Sequence, residues 1–195
     1  MTTIGFIRHG QTAWNKEGRV QGSSNVPLNE EGIESAEKLA NRLAGQQWDM
    51  IFTSPMNRAK HTAELIASRM PDVLVEEDSR VRERSSGLIE GTTEQERVQK
   101  WGPGWRELDM QFESADSVVA RGLAFVEEQT RINPGKRILV VSHGSFIKRM
   151  IAVLLEDEQY AVTIENTSLT VIEVENKTCT LLNCTAHLTG GANGD

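Results

Sequence analysis

Two apolar stretches of this chain run into the same pair of residues. Thr3-Ile4-Gly5-Phe6-Ile7 leads into Arg8-His9-Gly10, and Ile138-Leu139-Val140-Val141-Ser142 leads into His143-Gly144. In an open parallel sheet, ligands bind outside the carboxyl ends of the strands. Neighbouring strands lie about 4.8 Å apart, so His9 and His143 are expected side by side on one sheet edge. The glycines let backbone approach a ligand, and a helix starting after Gly144 would aim its positive end at the same place. A single histidine closing a buried strand is more often a packed residue than a catalyst. Two in matching context, one flanked by Arg8, point to a site. Histidine is also the commonest metal ligand, but a fixed guanidinium repels a divalent ion. Guanidinium and imidazole together suit a phosphate dianion, which accepts bidentate hydrogen bonds from arginine.

The elements that must position these residues alternate strand with helix. Strands are expected at Ile4–Ile7, Met50–Thr53, Val73–Val75, Arg137–Ser142, Leu169–Val174 and Cys179–Cys184, the last two as a hairpin at the sheet edge. A helix starts at Asn29 as cap, carries Ile33, Ala36, Leu39, Ala40 and Leu43 on one face and stops at Gly45. A second is expected to be capped by Ser54 with Pro55 at its first position. Two more amphipathic segments begin near Ser114 and Gly144. Apolar strands with helices between them predict a three-layer α/β/α sandwich around a mostly parallel central sheet. The whole chain, residues 1–195, is expected to be a single domain, with a lid or subdomain excursion at 91–113 and a frayed end at Gly190–Asp195.

Composition narrows the partners. The 195 residues carry 28 acidic and 21 basic side chains, a formal charge of -7, which argues against nucleic acid and anionic membrane as partners. No apolar run approaches the length of a membrane span, and the first strand leaves no room for a leader. Cys179 and Cys184 have neither zinc-knuckle nor redox spacing. Reduced thiols and a cytoplasmic location are expected, as a monomer or homodimer. The Asn-x-Ser/Thr triplets at Asn166, Asn176 and Asn183 are then chance matches.

The blocks "RHGQTAWN" (Arg8 to Asn15), Gln21-Gly22, "PLNEEG" (Pro27 to Gly32), "TSPMNRAKHTA" (Thr53 to Ala63), "RERSSGLIEG" (Arg82 to Gly91) and "VSHG" (Val141 to Gly144) occur in an order that resembles the histidine phosphatase superfamily, also called phosphoglycerate-mutase-like. The resemblance implies that His9 is a nucleophile forming phosphohistidine. It implies that Arg8, Arg58 and His143 hold the phosphoryl oxygens and that Glu83 shuttles the leaving-group proton. Asn15, Gln21, Gly22 and Gly144 match substrate-binding positions of the family. No metal and no cofactor are implied. Neutral imidazole is a competent nucleophile if its other nitrogen donates a hydrogen bond, and the Gly10 carbonyl is expected to accept it. His61 and His187 are expected to be peripheral.

The same chemistry serves hydrolysis or phosphoryl return to the substrate. Between Thr92 and Glu113 stand three bases against five acids, a poor grip for a bisphosphate, and the Trp and Phe residues there are expected to form an apolar leaving-group pocket. The resulting expectation is a metal-independent phosphomonoester hydrolase acting on small phosphorylated metabolites, resembling the compact bacterial broad-specificity phosphatases of the superfamily. The alternatives are a cofactor-dependent phosphoglycerate mutase and a non-catalytic phospho-ligand-binding protein.

Overall fold

A computed structural model describes residues 1–189; the expected frayed end at Gly190–Asp195 lies outside the described residues. The strands are β1 Thr3–Arg8, β2 Met50–Thr53, β3 Leu74–Glu77, β4 Arg137–Ser142, β5 Leu169–Glu173 and β6 Thr178–Cys184. They form one sheet in the order β3-β2-β4-β1-β5-β6. β3, β2, β4 and β1 run parallel, and β5 and β6 close the other side antiparallel, as the expected hairpin. β1 and β4 pair in a register that sets Arg8 opposite Ser142. One step further, His9 stands beside His143.

The helices are α1 Ala13–Lys16, α2 Glu30–Leu43, α3 Asn57–Ala67, α4 Glu94–Trp101, α5 Ala115–Ile132 and α6 Gly144–Leu155. Alternation along the central strands sorts them into two layers. Ile4, Phe6, Ile138 and Val140 pack with Val118 and Phe125 of α5 and Phe146 and Met150 of α6. Ile7, Leu139 and Val141 point the other way, onto Leu39 and Leu43 of α2 and Ala59 and Ile66 of α3. The architecture is thus the three-layer sandwich, with both faces of β1 and β4 dry. Gly5 sits under Trp48, where a β-carbon would come within 2.7 Å of the indole.

Local chemistry explains most helix ends. The Asn29 side chain accepts from Gly32 N–H and starts α2; Ser114 does the same for α5 through Ser117 N–H. α3 departs from expectation. It begins at Asn57 with Met56 as cap, and no side chain caps it. The Ser54 hydroxyl instead accepts from Met56 N–H at 3.3 Å within a turn and bonds His143 Nε2 at 2.8 Å. A serine hydroxyl can serve a turn or a helix end, and here the turn and the imidazole take it. β3 starts one residue later and ends two residues later than expected, at the sheet edge, with Leu74 72% exposed.

The aromatics of segment 91–113 depart from the expected leaving-group pocket. Thr93 and Glu96 form a reciprocal capping box that starts α4. Trp105 and Met110 then bury against Ile89, with Val20 and Trp101 packed alongside. The guanidinium groups of Arg97 and Arg106 lie over the Trp105 ring. These aromatics satisfy each other in a small core of their own, and no residue of 91–113 lines the main cavity. They do not form the leaving-group pocket.

Candidate active site

The carboxyl ends of β1 and β4 open into a cavity of about 930 Å³. His9 lies at its base, 3% exposed. Its main chain continues the ladder through His9 N–H to Ser142 O at 2.9 Å. The Nδ1–H donates to the Gly10 carbonyl at 2.7 Å, the partner expected from sequence. That bond fixes the tautomer and leaves the Nε2 lone pair directed at Arg58 Nε, 3.2 Å away. Burial, then Arg58 and Arg8, hold the ring pKa well below its ordinary value. His9 is therefore neutral at neutral pH, with the Nε2 lone pair free of a proton.

Gly10 is a true packing requirement. A β-carbon there would lie 2.5 Å from the Gly32 carbonyl oxygen, and one on Gly32 would lie 2.1 Å from Gln11 O. The two loops cross backbone on backbone. Thr62 locks the crossing to α3, accepting from Gly10 N–H at 3.0 Å and donating to Arg58 O at 2.7 Å.

Arg58 enters from the first turn of α3 and is 1% exposed. Its Nη1 and Nη2 donate to the carbonyls of Ser24 and Gly22 at 2.7 and 2.8 Å, which turns Nε toward His9. Burial lowers its pKa to about 10, so it stays charged at neutral pH. Arg8 donates through Nη1 to Ile164 O at 2.6 Å, while its Nε is buried with no partner among the described residues. His143 is fully buried, its ring 5.1 Å from that of His9, with Nε2 on Ser54 and Nδ1 unpartnered. Burial and the same cations hold it neutral. Buried polar groups are normally hydrogen-bonded; orphaned donors beside two guanidiniums mark the seat of an anion.

The remaining expected residues converge on the same cavity. Asn15 and Gln21 both line it, and the Thr12 hydroxyl lies 3.2 and 3.0 Å from their side-chain oxygens. Thr12 N–H donates to Asn15 Oδ1 at 3.1 Å and the single Thr12 hydroxyl proton can go to Gln21 Oε1, so both oxygens are occupied and each amide NH₂ is left to donate. Gly22 lines the cavity with φ +49, and its carbonyl anchors Arg58. Gly144 lines it at the start of α6, close over Arg8 Nε. The Glu83 carboxylate accepts from Ser145 N–H at 3.2 Å, Phe146 N–H at 3.1 Å and Arg84 N–H at 2.8 Å. It thus rests on the positive end of α6 with its edge on the cavity. His61 and His187 are absent from the cavity wall. His187 packs its ring at 3.2 Å from Thr167 Oγ1, and burial lowers its pKa to about 4.

Three supporting residues escaped sequence reading. Asn166, discounted above as a chance triplet, donates to the His9 carbonyl at 2.8 Å. Ser54 holds His143, and Thr62 holds Gly10. Asn166 comes from a segment with no expected catalytic residue, whereas Ser54 and Thr62 stand beside Arg58 in the block Thr53 to Ala63, and only the fold shows that they reach His143 and Gly10. Among the described residues no group of three or more His, Cys, Asp or Glu stands together in the manner of a metal cage.

A neutral imidazole in a ring of fixed cations, with one carboxylate at the rim, can exchange a phosphoryl group. Comparison with known proteins agrees. The model of the histidine phosphatase superfamily (branch 1) matches residues 4–186, and the chain belongs to that family. It is similar to the uncharacterized phosphatase PhoE of Bacillus subtilis, 29% identical over 194 residues, 97% of this chain and 98% of that one. A 2,3-bisphosphoglycerate-dependent phosphoglycerate mutase of Gloeobacter violaceus is 33% identical over 80% of this chain and 75% of its own. The solved structure of a phosphoserine phosphatase mutant from Entamoeba histolytica, in complex with phosphoserine, superposes with a TM-score of 0.80 at 30% identity, covering 96% of this chain and all of that one. Within the superfamily, this chain is a phosphoric monoester hydrolase.

Proposed function

We propose that the enzyme hydrolyses small phosphate esters without a metal ion, through a phosphohistidine at His9. The observation that carries this reading is the His9 ring itself, with Nδ1–H committed to Gly10 O and Nε2 free of protons. An arriving phosphate draws Arg58 Nε from His9 Nε2 onto a phosphoryl oxygen, and the lone pair then faces phosphorus. Arg8 Nε and His143 find the acceptor they lack, and Asn15, Gln21 and Gly144 N–H supply neutral donors. Donors fixed before the reaction stabilise the charge that spreads over the equatorial oxygens in the transition state.

Glu83 gives its proton to the departing alkoxide and later takes one from the water that attacks phosphohistidine. Its seat on the α6 N-terminus keeps it fixed through both steps. The donor set itself supports metal independence, because two guanidiniums already occupy the electrostatic role of a divalent ion. Hydrolysis is favoured over mutase activity because the acidic segment 91–113 that follows Glu83 folds onto its own core and brings no basic residue to the cavity.

The test is turnover of p-nitrophenyl phosphate with and without EDTA. Turnover should resist the chelator, disappear in His9→Ala, and yield a phosphorylated peptide containing residue 9 when quenched. Loss with chelator refutes metal independence. Silence in the assay favours a phospho-ligand-binding protein, and isomerisation of 3-phosphoglycerate with its bisphosphate makes the protein a mutase.

A further inference from the structure

The cavity is larger than a phosphate needs, and α6 runs along its length. Gly144, Lys148 and Ala152 form one stripe of the helix, and Ser145, Arg149 and Val153 the next; all six line the cavity. Four residues of helix advance about 6 Å. Lys148 and Arg149 therefore stand one turn beyond the end where Glu83 and the phosphate seat lie, and Ala152 and Val153 one turn further.

Lys148 and Arg149 have no acidic partner among the described residues: neither forms a salt bridge. They sit in the N-terminal half of α6, where the helix dipole gives a cation no stabilisation. Arg149 is half-buried and aimed: its Nη1 donates to Ser145 O at 2.9 Å and to Ser145 Oγ, leaving its other N–H groups for the cavity. Burial, then the nearby Arg149, lowers the pKa of Arg84, so a third guanidinium stands close to this wall. Besides Glu83, two acids line the cavity. Asp116 lies in the first turn of α5, a position that its own helix favours. Glu158 is exposed in the short turn at Glu158–Tyr160 that follows α6.

Accepting the hydrolase reading above, we infer that Arg149, seconded by Lys148, selects phosphate esters whose alcohol part carries an anionic group such as a carboxylate a few bonds from the ester oxygen. The cation wall and the phosphate seat then read two separate anions of one substrate. The apolar turn at Ala152 and Val153 receives what lies beyond.

The experiment compares kcat/KM for phenyl phosphate, 3-carboxyphenyl phosphate and 3-(aminomethyl)phenyl phosphate. The wild type should prefer the carboxylate over phenyl phosphate by about tenfold or more, the worth of a charge-assisted hydrogen bond, and should disfavour the ammonium. Arg149→Met should bring the carboxylate preference close to unity, Lys148→Met should reduce it in part, and Arg149→Lys should retain much of it. High salt should weaken it. Wild-type ratios near one, or a preference for the ammonium, overturn the inference. So does Arg149→Met lowering both rates in parallel, because Arg149 would then serve only to hold Ser145. No turnover of any of the three esters would instead sink the hydrolase reading itself, so the two failures are distinct.

Discussion

Lowering the pH from 7.5 to 5 should destabilise this fold by an amount that the buried histidines set. Burial and the neighbouring guanidiniums keep His9 and His143 neutral in the folded chain. In the unfolded chain each titrates near pH 6.5. Below that value the unfolded state binds protons that the folded state refuses, so stability is full above about pH 6.5 and is lost as pH falls. Two protons across roughly one and a half pH units amount to at most about 4 kcal/mol. That is a large part of a typical ~5–15 kcal/mol total. His187, held to about 4, adds to the loss in the same direction. The carboxylates Glu94 and Glu113, lowered to about 2, join only below about pH 4.5. The window between pH 6.5 and 5 therefore belongs to the histidines. Melting temperature should fall across it, by at most about 8–16 °C at ~2–4 °C per kcal/mol for a chain of this size. Scanning calorimetry or circular dichroism at several pH values reads the slope. His143→Asn should reduce proton uptake on unfolding by about one, and saturating inorganic phosphate should flatten the curve by favouring a protonated ring in the folded state. A melting temperature level between pH 7.5 and 5 would show that these rings take protons freely when folded, and the case for a neutral nucleophile would fail.

Arg58→Met should leave stability within about 2 kcal/mol of the wild type, because relief of a desolvated charge offsets the loss of two carbonyl partners. Activity should nevertheless drop by about a hundredfold or more, as for the loss of an oxyanion donor; urea melts beside initial rates check both. Glu83→Gln should cut kcat for alkyl phosphates by about 10²–10⁴ and p-nitrophenyl phosphate far less, since a nitrophenolate leaves without a proton. Equal losses for both leaving groups would contradict the proton-shuttle role. Gly32→Ala should cost about 1–3 kcal/mol or more of stability, because the new methyl meets Gln11 backbone that cannot swing aside; a lowered urea midpoint would register it.

Much of the fold was legible because its signals are local. β2 and β4 match their expected bounds, since a run such as Arg137–Ser142 has no other way to bury its β-branched side chains. Asn29 acts as the expected cap because the preference for asparagine is a property of the helix end itself. Ser54 misled for the same reason in reverse. Its hydroxyl had two local uses, and a histidine 89 positions away decided between them. The tryptophans of 91–113 misled because aromatic content says that a surface is buried, not against what.

The sequence by itself determined the chemistry on offer: paired His-Gly strand ends, the arginines at Arg8 and Arg58, and a carboxylate at Glu83, in an order that names the family. Tertiary structure alone decided how those groups are poised. Only the packed chain commits Nδ1 of His9 to Gly10, strips water from Arg58 and His143, and sets the cations of α6 along the cavity wall. Residue type fixes which protons and charges exist, whereas pKa, tautomer and aim depend on burial and on neighbours far apart in the chain.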